Sequence, residues 1–500
     1  MNVLFIAVDD LKPLLTCYGA TGMHTPNIDR LAKMGTIFTN NYCQQAVCGP
    51  TRASLMTGMR PDYTRVWDLK TQMREMNPDI LTIPQYFKQN GYATTGIGKI
   101  YHPTDIDKDF DKPSWSIPYD KPVDADYAEG YGKPVNGRYQ SPENRKLVEK
   151  LEETVEGKSK KTDTEDEEAV IQSRGPAFES ADVPDDAYLD GVVAKKAVIK
   201  IGEFAKKKEP FFFAVGFAKP HLPFCSPKKY WDMYDRSKLP LAEFQSLGKG
   251  TPEFAYTTSG ELVNNYVLAD GKRYKSGNVP QDEARQRELI HGYYAAISYT
   301  DAQIGKLLDE LDKQGLTQNT IIVLWGDHGW HLGDHTMWCK HTNFEQATRA
   351  PLIVASPQYK GNQKAQGMTE FVDIFPTLTD LAGLKIPEKL AGKSLVPVMK
   401  DPKKEVKTYA ISQYHRKVNK QNVMGYTLRT KRYRYTAWYQ EDYRKTKVVA
   451  TTKIVGTELY DYEKDPLETE NLATKPEYQK VVKEHEKMMS EFLTNQRQSR

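Results

Sequence analysis

The sequence predicts an α/β fold: a mainly parallel sheet with helices on both faces, followed by a smaller α+β unit. Three observations carry this. Continuous apolar runs recur at NVLFIAV (2–8), PFFFAVGF (210–217) and TIIVLWGDHG (320–329), and strands apolar on both faces belong to sheets covered on both faces. Helix-periodic segments alternate with them. After about residue 400 the pattern changes to short runs rich in Tyr and β-branched residues.

The elements follow in order. NVLFIAV is a first core strand ending in Asp9-Asp10. PNIDRLAKMG (26–35) has proline in a helical first turn and glycine at its stop. TIPQYFKQNG (82–91) has the same grammar, and YATTGIG follows as a strand. Residues 185–208 and 283–315 carry helical periodicity, PLIVAS (351–356) reads as a strand, and TEFVDIFPTLTDLAG (369–383) reads as a helix. TYAISQY, MGYTLRT, YRYTAWY and TELYDY read as antiparallel strands before a helix at 475–494. The expected division is a catalytic unit over 1–400 and a C-terminal α+β unit over 401–500. Residues 104–184, with the charged stretch LEETVEGKSKKTDTEDEEAV (151–170), and residues 225–282 are read as insertions. The first is expected on the surface. Long rim loops of this kind usually build substrate sites.

Composition excludes some classes. Charged residues are 27% and the net charge is +4 over 500 residues, which supports neither a nucleic-acid nor a membrane-surface binder. No window has the apolar length of a membrane span. Five cysteines, at 17, 43, 48, 225 and 339, are too few and scattered for a disulfide framework. Cys17 and Cys43 are expected to be buried. The start MNVLFIAVDD lacks the parts of a signal peptide, so the expectation is a cytoplasmic protein or one whose leader has been removed. Oligomeric state is left open.

In α/β sheets, ligand chemistry collects beyond the carboxyl ends of strands. Candidate groups stand there: Asp9 and Asp10, Asp327 and His328, His221 in AKPH, and Lys99 and His102 in GKIYH. Converging carboxylates repel unless a cation lies among them, and oxygen donors favour calcium or magnesium. Aspartate also ends strands simply as a turn former. The loop DHGWHLGDHTMWCKH (327–341) adds Trp330, His331, Trp338 and Lys340. RTKRYRYTAWY (429–439) sets Arg429 and Lys431 beside aromatic residues. That suits an anionic sugar, and it is equally the pattern of a solvated alternating strand.

Cys48-Gly49-Pro50-Thr51-Arg52 followed by ASLMTG resembles the sulfatase signature C-x-P-x-R…TG. The family's other stations follow in order: DD at 9–10, GKxxH at 98–102, KPH at 219–221 and DHG at 327–329. The chain is most similar to the iduronate-2-sulfatase branch, as in QQAVCGPTR, GKIYHP and FFFAVGFAKPHLPF. Thr51 stands where serine is frequent.

The resemblance implies an alkaline-phosphatase-like fold, formylglycine formed from Cys48 by a maturation enzyme, and one calcium. Asp9, Asp10, Asp327, His328 and residue 48 would hold that calcium. The hydrated aldehyde offers one hydroxyl for attack on sulfur and a second that lets sulfate leave. Arg52 would orient it, and Lys99 and Lys340 would clamp sulfate oxygens. His221 is the candidate acid and His102 the candidate base, although sequence order does not distinguish them. Trp330, His331, Trp338, Arg429 and Lys431 are candidate sugar contacts. The expected substrate is a sulfated saccharide, with the 2-O-sulfate of a uronic acid in glycosaminoglycan or algal (ulvan-type) fragments preferred. The family's habits suggest a periplasmic or secreted enzyme. Competing readings are a phosphomonoester or phosphonate-ester hydrolase and a non-catalytic glycan-binding protein.

Overall fold

The computed structural model describes residues 1–155 and 175–496. Thirteen strands occur in them: β1 (Asn2–Val8), β2 (Thr36–Tyr42), β3 (Ala93–Gly98), β4 (Phe178–Glu179), β5 (Phe211–Phe217), β6 (Phe224–Cys225), β7 (Thr320–Gly326), β8 (Leu352–Ala355), β9 (Gln363–Glu370), β10 (Ala410–Val418), β11 (Gln421–Arg429), β12 (Tyr433–Gln440) and β13 (Ile454–Asp461). Seven form the main sheet, in the order β3-β5-β1-β7-β8-β2-β9. β3, β5, β1 and β7 are mutually parallel, β8 runs against both its neighbours, and β2 pairs in parallel with β9.

Alternate residues of the central strands enter opposite cores. Leu4, Ile6 and Val8 face one side with Phe213, Leu324 and residues of the helices Leu189–Phe204 and Glu283–Lys313. Val3, Phe5 and Ala7 face the other with Phe212, Trp325 and residues of the helices Cys48–Thr57, Ile83–Gln89 and Ile374–Leu381. Both faces are dry, which explains why these strands read as unbroken apolar runs.

The structure corrects three expectations. The helix expected over 369–383 begins only at Ile374, because Gln363–Glu370 is a strand paired with β2. Residues 104–184 are not simply a surface insertion. The amides of Ser116 and Ile117 donate to Thr94 O, so this stretch covers the β3 edge. Trp115 and Tyr119 pack into the core. Most of the charged stretch 151–170 lies outside the described residues. Cys43 is buried as expected, whereas Cys17 is partly exposed; all five cysteines are free thiols.

β10 to β13 form a four-stranded antiparallel sheet with the helix Gln479–Asn495 against it. This sheet buttresses the chain just before Cys48. Gln413 N–H donates to Gln44 O at 2.8 Å, and Ser412 Oγ donates to Cys43 O at 2.5 Å.

Candidate active site

Strand register builds the site. β1 pairs Val8 with Phe217 on one side and Gly326 on the other, so the next residues, Asp9 and Asp327, emerge together at one sheet edge. β3 pairs Gly98 with Gly216, which brings Lys99 to the same edge. Asp10 takes a left-handed backbone (φ 57°), tolerated here because its own groups are pinned. Its N–H donates to Asp327 Oδ1 at 2.9 Å and its carbonyl accepts from Tyr293 Oη at 2.6 Å.

Cys48 opens a ten-residue helix whose every member is buried, with Gly58 in the left-handed region (φ 66°) at its end. Its Sγ lies 3.4 Å from His328 Nε2 and 3.8 Å from Asp10 Oδ1. Gly49 is required by close packing: a Cβ there would fall 2.3 Å from Asp105 Oδ2 and 3.0 Å from Leu69.

Arg52, one turn on, is fully buried. It donates to Asp9 Oδ1 and Asp327 Oδ2, both at 3.0 Å, and to Ile100 O at 3.0 Å. It stacks on Trp325 at 5.2 Å. Lys99 contacts the other oxygen of Asp9. Lys340 reaches both oxygens of Asp10 at 3.0 Å.

His328 carries the test of metal fit. Its Nδ1 lies 3.0 Å from Gly329 O, a group that can only accept. In the neutral ring the Nε2 lone pair therefore faces Asp10 Oδ1 at 3.3 Å and Asp327 Oδ1 at 3.6 Å. A lone pair aimed at two carboxylates is repulsive unless a cation stands between them. Asp10, Cys48, Asp327 and His328 offer ligand atoms within 4.8 Å of one another, and Asp9, Asp10, Cys48 and His221 form a second such group. The carboxylates suit a hard divalent ion.

The charges agree. Burial pushes Asp10 up to about 7 even against Lys340, because Asp9 is adjacent. Burial also opposes ionisation of Asp9, but Lys99 and Arg52 hold it well below the usual carboxylate range. Burial, then Asp9, pushes the Cys48 thiol well above its ordinary value. A protonated thiol is a poor nucleophile.

The two candidate histidines flank the cluster. His221 Nε2 stands 3.9 Å from Asp10 Oδ2, and burial with Lys340 and Lys99 lowers its pKa to about 4. His102 Nδ1 lies 2.8 Å from Thr104 Oγ1, and burial, then Lys99, holds the ring well below its usual value.

The other sequence candidates fare differently. Trp330, His331 and Trp338 are at most 2% exposed. The 327–341 loop folds inward: Trp330 stacks on Tyr293 and lies 5.0 Å beneath Lys340, and His331 Nε2 meets Thr342 Oγ1 at 2.8 Å. They support the site from below and offer no surface to a sugar. Arg429 is pinned by Glu345 at 3.0 Å and stacked on Tyr462 at 3.7 Å, and Lys431 pairs with Glu405. Both are held by partners outside the metal-ligand cluster. Sequence reasoning missed Tyr293, Trp325 and Glu261. Glu261 arrives from the irregular 225–282 segment, where no local pattern marks it.

A parallel sheet whose strand ends gather carboxylates, a histidine and three cations around a helix N-terminus defines the class: a hydrolase of alkaline-phosphatase-like fold with a cluster able to hold a metal ion. The chain belongs to the sulfatase family, whose profile matches residues 1–384, and an N-sulphoglucosamine sulphohydrolase C-terminal profile matches 333–496. It is 33% identical to iduronate 2-sulfatase of Mus musculus, over 94% of this chain and 90% of that protein. It is 25% identical to a Δ4,5-hexuronate-2-O-sulfatase of Bacteroides thetaiotaomicron, over 99% and 89%. The phosphonate monoester hydrolase of Agrobacterium radiobacter has a similar structure (TM-score 0.71, 22% identity, covering 100% of this chain and 96% of that one), a likeness of fold alone. This chain is therefore a sulfuric ester hydrolase. Among the described residues no helix is long and apolar enough to cross a membrane.

Proposed function

We propose that this sulfatase removes the 2-O-sulfate of a uronic acid from glycosaminoglycan or algal polysaccharide fragments, with formylglycine at position 48 and one calcium. The observation that carries the mechanism is Cys48 itself. Its thiol is buried against His328 and Asp10 and held protonated, so it is useless as a thiol yet centred among ligands. A residue so placed suits a precursor. At 2% exposure it leaves no room for a second protein to act on it, which favours conversion before folding. The substrate class draws support from the two relatives above, both named for 2-O-desulfation of a uronate.

Residue 48 as hydrated formylglycine would supply the nucleophilic hydroxyl, and a calcium held by Asp9, Asp10, Asp327 and His328 would offset the charge at the reacting sulfate. The chain's own groups do the rest. Arg52, locked by Asp9 and Asp327, orients residue 48. Lys99 and Lys340 lie on either side of the aspartate pair and bind sulfate oxygens. His221, in its charged form with a proton on Nε2 toward the cluster, gives that proton to the departing sugar oxygen. His102 takes a proton from residue 48, its ring set by Thr104.

Mass spectrometry of the Cys48 peptide from the native host should show the aldehyde. An unmodified thiol in an active preparation would refute the mechanism. Paired assays on uronate 2-O-sulfate and the matching phosphate ester should show strong preference for sulfate. Turnover of other sulfated positions alone would refute the substrate class.

A further inference from the structure

Glu261 occupies a place that none of the reasoning above assigns. It lies on the short helix Gly260–Asn265 and is 5% exposed. One carboxylate oxygen is 3.0 Å from His221 Nε2 and the other 2.8 Å from Lys340 Nζ. It thus joins three separate parts of the chain: the turn after β5, the loop after β7 and the 225–282 segment. The helix is anchored to the lysine loop. Trp338 N–H donates to Ser259 Oγ at 2.9 Å, and Ser259 itself turns through a left-handed backbone (φ 60°).

The geometry fixes both partners. His221 Nδ1 is 2.5 Å from Leu222 O and Nε2 is 3.0 Å from Glu261, both acceptors only, so the charged ring, the form that has a proton to give, has two anchors and a defined plane. Lys340 stands between Asp10 and Glu261. Without Glu261 it would swing wholly onto Asp10, and the His221 ring would be free to turn about its side-chain bonds. Both losses fall on groups assigned to the departing ester.

On the sulfatase reading above, we propose that Glu261 is a positioning residue that sets His221 toward the leaving oxygen and Lys340 toward the sulfate it is cleaved from. A displaced proton donor costs little when the leaving group departs easily and much when it does not. A merely structural role lowers all substrates together.

The test is a series of aryl sulfates from 4-nitrophenyl to 4-methylphenyl, with wild type, Glu261→Gln and Glu261→Asp. For Glu261→Gln, kcat on the poorest leaving group should fall by about 100-fold, and on 4-nitrophenyl sulfate by less than about 10-fold. The plot against leaving-group pKa should therefore steepen. Glu261→Asp should show the same steepening to a smaller degree, and it carries the test if the glutamine variant does not fold. Adding Glu261→Gln to His221→Ala should steepen nothing further. An equal fall across the series, or no fall, would overturn the proposal. Wild-type turnover of the aryl series without turnover of a uronate 2-O-sulfate would overturn the substrate reading and leave this one standing.

Discussion

Two of the buried charge clusters among the described residues invite comparison, and one of them has the form of an active site. Behind the lysine loop, Arg434 and Arg429 meet Glu458, Glu468 and Glu345. There each carboxylate oxygen has a donor: Trp438 and Arg434 with Tyr460 for Glu458, Arg434 and Tyr462 and the Glu345 amide for Glu468, and Tyr42 and Arg429 for Glu345. The arginines lie on aromatic faces, Arg434 on Tyr460 at 4.5 Å and Arg429 on Tyr462 at 3.7 Å. That cluster is closed. At the strand ends the aspartates also have donors, Lys340 on both oxygens of Asp10, but His328 Nε2 and Cys48 Sγ converge on Asp10 Oδ1 as well, and these atoms with Asp327 lie within 4.8 Å of one another. Buried charge alone therefore does not mark function. Ligand atoms that converge on one point do, because a cation can be held there.

Four expected outcomes test this contrast. The largest is Cys48→Ala, which should lower kcat/KM by at least about 10³-fold, as loss of a covalent nucleophile does. The melting temperature should hardly move. Retained activity would remove residue 48 from the chemistry. Next, chelation of divalent ions should cut activity by about 100-fold or more, with recovery on adding calcium, while Asp10→Asn and Asp327→Asn should abolish that recovery. Activity indifferent to chelation would show the open cluster to be as self-sufficient as the closed one.

Arg434→Met should act on stability instead. It leaves Glu458 and Glu468 buried with one cation fewer, a loss of about 3–5 kcal/mol. Denaturant melts should show it, and kcat of the surviving enzyme should stay within about twofold of wild type by the independence of distant sites. A fall in kcat without loss of stability would contradict the division of labour. The smallest effect concerns Asp185, whose pKa Lys229 and Lys306 lower from 3.8 to about 2 against burial. A depressed carboxylate contributes stability above its unfolded pKa and loses it as pH falls through the folded one. Asp185→Asn should thus melt below wild type at pH 7, and the gap should close between about pH 4 and pH 2. A gap that persists at pH 2 would mean packing, not charge.

Much of this was legible locally. The runs 2–8, 210–217 and 320–326 are strands because both faces of their sheet are covered. The C-terminal strands were visible from Tyr and β-branched alternation. Gln363–Glu370 was not, since its pattern of polar and small residues carries no strand signal until β2 pairs with it. Within the site, Asp9, Asp10, Asp327, His328 and Cys48 were found as strand-end and helix-start groups, and the structure brings them together. The partners of Arg429 and Lys431 were not legible, because an arginine beside aromatic residues has the same local pattern whether it binds a sugar or neutralises Glu345.

The sequence by itself determined which strands are buried, where they end and which chemistry stands at each end. Those are properties of periodicity and residue type, readable over ten residues. The tertiary structure alone decided that Gly326, Val8 and Phe217 end in register, that Trp330 lies beneath Lys340, and that Glu261 reaches His221. These contacts join residues from 10 to more than 300 positions apart. Each depends on strand pairing and loop packing, which act through space and leave no mark in the neighbouring sequence.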